Sequence, residues 1–89
     1  GDGGVATNAV SVRDNFFTPT PANVAVGDTV TWTWQGTNPH TVTFDPDDSP
    51  TSPIQTSGTY RLQFDTPGTF TFYCTVHGRA IMSGSVVVE

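Results

Sequence analysis

The 89-residue sequence contains no lysine, one cysteine and one methionine. Three arginines stand against eight carboxylates, a net charge of −5. That balance excludes nucleic acid and anionic lipid surfaces as partners, because both require a basic face. It permits a positively charged protein partner. A lone cysteine cannot close an internal disulfide, and it leaves the redox compartment open. No run approaches the ~18 consecutive apolar residues of a membrane-crossing helix, so this domain is not expected to insert into a membrane. Neither a charged-then-apolar signal sequence nor a helical apolar period is present.

What the sequence does contain is short alternating runs cut by turn residues. Val30, Trp32 and Trp34 share one face of the stretch 29–34 while three threonines share the other, a clean period of two. Val10 with Val12, Val24 with Val26, Val42 with Phe44, and Tyr60, Leu62 and Phe64 repeat the pattern, and Phe70, Phe72 and Cys74 point one way. Pro19 and Pro21 exclude a helix after Phe17, and Gly27-Asp28 and Thr66-Pro67-Gly68 read as turns. The longest loop runs from 45 to 58. Seven or eight short strands at this spacing indicate an all-β Greek-key sandwich. The length suits a single domain, here 9–89, after a loose Gly-rich lead-in over 1–8.

The chemistry concentrates in Cys74-Thr75-Val76-His77-Gly78-Arg79-Ala80-Ile81-Met82, a C-x2-H-x4-M spacing between two strands. A second histidine, His40, opens a strand far upstream. A thiolate, two imidazoles and a thioether make a soft donor set that suits copper cycling between two oxidation states. Cys74 and His77 are near enough in sequence to reach one ion, and the residues up to Met82 let the chain arc over it. His40 joins them only if the sandwich sets its strand beside that of Cys74. Taken singly, each residue has a plainer role: Cys74 as a small core hydrophobe, His40 as a turn histidine, Met82 as a gap-filler. The combination favours a metal.

With Asp14-Asn15-Phe16-Phe17-Thr18-Pro19, Val26-Gly27-Asp28-Thr29-Val30-Thr31-Trp32, Pro39-His40 and Gly84-Ser85-Val86-Val87-Val88, the ligand stretch makes the chain resemble small blue-copper proteins. These are the cupredoxins, such as plastocyanins, pseudoazurins and halocyanins, and the likeness runs from about Val10 to Glu89. The resemblance implies one copper ion with His40, Cys74 and His77 as strong equatorial ligands and Met82 as the weak axial one. It implies a monomeric one-electron carrier rather than an enzyme, serving redox proteins such as cytochromes. It places the protein in the periplasm or another extracytoplasmic space, secreted or tethered. His77 would offer its ring edge through an apolar patch formed by Pro39, Val76, Gly78, Ala80 and Ile81. Tyr73 matches an aromatic residue used by some members as a second path, and equally reads as an outward tyrosine covering the sheet.

The family usually places Asn after the first ligand histidine, where this chain has Thr41, and plastocyanins often have Pro where Val76 stands. A metal-delivery module is the first rival reading; its sites tend to be exposed, and metal off-rate separates the two. An excised oxidase domain needs more histidines, and a dinuclear copper domain needs a second cysteine. A hydrolase lacks a residue to orient the Cys–His pair. Asp45, Asp47 and Asp48 read either as a solvated loop or as an acidic patch steering a basic partner.

Overall fold

The computed structural model describes residues 5–89, which form nine strands and no helix. In chain order these are β1 (Val5–Ala6), β2 (Ala9–Arg13), β3 (Phe16–Thr18), β4 (Ala22–Val24) and β5 (Thr29–Trp34). They continue as β6 (Thr43–Phe44), β7 (Thr59–Gln63), β8 (Gly68–Tyr73) and β9 (Ser83–Val88). One sheet has the order β1-β4-β9-β8-β6 and the other β3-β2-β5-β7. The chain passes repeatedly between the two sheets, so sequence-distant strands become neighbours. β2 lies parallel to β5, with Val10 opposite Trp32, and β4 lies parallel to β9.

The alternation decides what goes inside. Val30, Trp32 and Trp34 of β5 are buried, as are Val10 and Val12 of β2 and Val86 and Val88 of β9. Trp32 is the hub. Phe44 and Phe72 meet it edge-on with centroids 5.7 and 5.4 Å away, and Tyr60 and Phe64 lean on it from β7 and the segment that follows. Full burial of one such side chain contributes about 1.5–3 kcal/mol, so this cluster clamps the two sheets together.

Val26 departs from the expected pairing with Val24: it is 48% exposed. The chain turns just after β4. Ala25 N–H bonds the Asp28 carboxylate (2.9 Å) and Gly27 N–H bonds the Phe64 carbonyl (2.7 Å), which takes Val26 off the sheet. The loose lead-in is a second departure. Val5 and Ala6 pair in parallel with Ala22 and Asn23, anchored by Val5 N–H on the Pro21 carbonyl (3.1 Å). Residues 1–4 of that lead-in lie outside the described residues.

Two features of this fold set up the site. β6 pairs with β8, Thr43 opposite Tyr73, so the segment before β6 lies beside the segment after β8. The long 45–58 loop folds back along that same segment, through isolated bridges from Thr51 to Thr43 and from Gln55 to His40.

Candidate metal centre

His40 comes to the site on a fixed backbone. Its N–H bonds the Gln55 carbonyl (3.0 Å), and its carbonyl accepts from Gln55 N–H (3.2 Å) and from the Trp34 indole N–H (3.2 Å). The residue is fully buried. Cys74, also fully buried, follows the last residue of β8, and its N–H bonds the Met82 carbonyl (3.0 Å), closing the ligand loop at its neck. Inside the loop, Gly78 adopts φ +88°, a left-handed conformation open to glycine at little cost. Its N–H bonds the Cys74 carbonyl (2.8 Å) and its carbonyl accepts from Met82 N–H (3.0 Å). The turn thus carries His77 back over Cys74 and returns Met82 to the interior, where it is fully buried.

The structure brings His40, Cys74 and His77 together, their donor atoms all within 4.8 Å of one another. The Cys74 sulfur lies 3.7 Å from His40 Nδ1 and 3.6 Å from His77 Nδ1. An ion bonded at about 2.3 Å to sulfur and about 2.0 Å to nitrogen, with ligands about 120° apart, separates S from N by about 3.7 Å. The spacing therefore fits a three-coordinate plane of one thiolate and two imidazoles. The two rings lie tilted by 35° with centroids 4.9 Å apart, and of the two only His77 reaches towards solvent.

Thr41, at the position where the family usually has Asn, ties the two ligand segments together. Its N–H points at the Cys74 sulfur (3.5 Å) and its hydroxyl accepts from Thr75 N–H (2.9 Å). The same hydroxyl contacts those of Thr43 (3.0 Å) and Thr75 (3.1 Å), so the two ligand segments are stitched directly together.

Residues 5–89 match the family model for copper binding proteins of the plastocyanin/azurin family. The chain belongs to that family. Over 84 residues it is 31% identical to the plastocyanin of Scenedesmus fuscus, covering 82% of this chain and 86% of that one. Over 89 residues it is 33% identical to amicyanin-alpha of Methylorubrum extorquens, covering 94% and 72% respectively. A mutant fern plastocyanin superposes with a TM-score of 0.78 at 29% identity, covering 91% of this chain and 99% of that one. Like these plastocyanins and amicyanins, the protein is a blue-copper electron carrier and not an enzyme. Its cofactor is copper, and it exchanges electrons with redox partners.

Three contributors went unmarked in the sequence. Trp34 and Gln55 hold the His40 backbone. Asp14, in the turn between β2 and β3, reaches His40 Nε2 at 3.2 Å. The backbone N–H groups of Asn38 and then Thr37, helped by the His40 ring and the Thr37 hydroxyl, hold the Asp14 carboxyl down at about 2. A signal was present in Gly36: a side chain there would overlap the Asp14 carboxylate, so that loop has to pass bare.

Two of the three carboxylates of the acidic loop share one arginine. Arg79 Nε donates to Asp45 (2.7 Å), its terminal nitrogen reaches Asp48 (3.6 Å), and its guanidinium lies 4.0 Å over the Tyr73 ring. The Tyr73 hydroxyl donates to Asp48 (2.6 Å). Tyr73 is therefore an outward-facing tyrosine roofed by an arginine and only 7% exposed.

Proposed function

We propose that His40, Cys74, His77 and Met82 hold the copper ion and that electrons enter and leave through the edge of His77. One observation carries this: a buried thiol and two imidazole Nδ1 atoms, from segments 34 residues apart, meet at sulfur–nitrogen separations that suit one ion. Bound there, copper supplies a one-electron couple. The chain's own part is to keep the donors still. His40 is tied through both its backbone groups, Cys74 through the neck of the loop, and both loops through Thr41. A site held at two sequence-distant points changes little between oxidation states, which favours fast transfer.

His77 is the only one of the four that is not fully buried, and its loop exposes Val76 and Ile81 (46% and 65%). This supports docking of a partner over an apolar rim at the histidine edge. The Tyr73 side offers a poorer port, because Arg79 covers the ring. The reading extends to cytochromes as partners, a monomeric carrier, and a periplasmic or other extracytoplasmic location, as the family resemblance implies. The test is the visible spectrum of the Cu(II)-loaded protein. Intense blue absorption from thiolate-to-Cu(II) charge transfer is expected, lost in Cys74→Ser while the sandwich stays folded. A colourless wild type, or a blue serine variant, would sink the ligand assignment. Metal content alone does not decide, since zinc accepts the same donors.

A further inference from the structure

Asp14 is 26 residues from His40 in sequence and comes from the turn between β2 and β3, yet its carboxylate makes five contacts. Oδ1 accepts from Asn38 N–H (2.9 Å) and Thr37 N–H (3.0 Å); Oδ2 lies 3.1 Å from Thr37 N and accepts from the Thr37 hydroxyl (3.2 Å). The fifth contact is Oδ1 to His40 Nε2, 3.2 Å. A carboxylate can only accept, so the ring proton between them sits on Nε2. Nδ1 is then left with its lone pair, and Nδ1 is the atom facing the Cys74 sulfur.

We propose that Asp14 is a positioning residue for the copper centre. It fixes the tautomer and the angle of the buried imidazole, and it keeps a negative charge one ring away from the ion. The inference rests on His40 being a ligand. The plainer role, an anchor for the loop 36–38, accounts for the contacts to Thr37 and Asn38. It does not account for the alignment of Oδ1 with the ring nitrogen of a fully buried histidine. Carboxylates behind a ligating histidine raise its basicity, and altering them changes metal affinity about 10–100-fold. The more highly charged oxidised ion gains more from both the basicity and the charge, so Asp14 lowers the reduction potential.

Asp14→Asn tests this, because the amide oxygen can still accept from the ring and the loop while the charge is gone. The variant should remain blue with a raised potential. A tenfold greater loss of affinity for Cu(II) than for Cu(I) corresponds to about 59 mV for one electron. Asp14→Ala should raise it further. In the metal-free protein, nitrogen NMR of His40 should show the proton on Nε2 in wild type and a mixture of tautomers in Asp14→Ala. Wild-type potentials in both variants, with only the melting temperature lowered, would reduce Asp14 to a loop anchor and overturn the proposal. So would a metal-free wild-type His40 carrying its proton on Nδ1. That second readout needs no copper, so failure of the ligand assignment, seen as a colourless wild type, stays distinguishable from failure of this one.

Discussion

Thr41→Val should loosen the centre without removing any metal donor. The substitution keeps the shape and deletes the hydroxyl. Thr43 retains a partner, because its hydroxyl also meets that of Thr51 at 2.7 Å. Thr75 N–H does not: it loses its acceptor at 2.9 Å. Thr75 is exposed, so water can take the place of the lost acceptor and the cost is that of an ordinary hydrogen bond, about 0.5–1.5 kcal/mol. At about 2.1 cal/mol/K of unfolding entropy per residue, each kcal/mol moves the Tm of a chain this size by about 5 °C. The metal-free variant should thus melt roughly 3–8 °C below wild type by circular dichroism. Thr41→Ser, which keeps the hydroxyl, should recover most of that difference. The bond from Thr41 N–H to the Cys74 sulfur is a backbone contact and survives, so the copper-loaded variant should stay blue. A Tm within about 2 °C of wild type would show that the hydroxyl bridge does not hold the two ligand segments together.

Met82→Leu preserves apolar volume at a cost typically under 1.5 kcal/mol and removes a weak donor, so the reduction potential should rise. Met82→Gln supplies an oxygen and should lower it, and voltammetry matching wild type for both would exclude Met82 as a ligand. Tyr73 should ionise above its ordinary 10, held protonated chiefly by its hydrogen bond to Asp48, and ultraviolet titration of Asp48→Asn should bring that step down. A raised folded value means this group's contribution to stability is complete below pH 10 and is lost as pH climbs through the folded value; an unchanged titration in the variant would contradict the contact. Arg79→Ala should free Asp45 and Asp48 and take the net charge from −5 to −6. Electron transfer with a basic partner should then speed up at low salt and show a steeper salt dependence, whereas an unaltered slope would remove this loop from the encounter.

Much of the core was legible because burial follows period two: Val30, Trp32, Trp34, Phe72 and Cys74 all lie inside, as their alternation required. The spacing from Cys74 to Met82 likewise marked three of the proposed donors within a single loop. His40 was legible through the Pro39-His40 stretch of the resemblance and not through any local spacing to Cys74. Its place depends on β6 pairing with β8, a contact across 30 residues that no local pattern encodes. Asp14 was hidden for the same reason: Gly36 signals a close approach without naming what approaches, and an aspartate before Asn15 in a turn looks like any other turn carboxylate. The run Asp45, Asp47, Asp48 could be read two ways in the sequence, because Arg79, which pairs with Asp45 and Asp48, lies 34 residues from Asp45. β1 escaped because two exposed residues carry no period; only backbone pairing makes them a strand.

The distance along the chain between His40 and Cys74 has a consequence for folding. A protein with one cysteine has no covalent staple, but an ion gripping both residues, as proposed, closes a loop of 34 residues. If the grip persisted in the unfolded chain, it would remove roughly 4 kcal/mol of denatured-state entropy in the loop-closure treatment used for disulfides. If unfolding releases the ion, the native state gains instead by mass action, more with every rise in free copper. Either way the electron-carrying ion doubles as a removable cross-link. Melting curves that depend on copper concentration would identify the second regime, and curves that do not would identify the first.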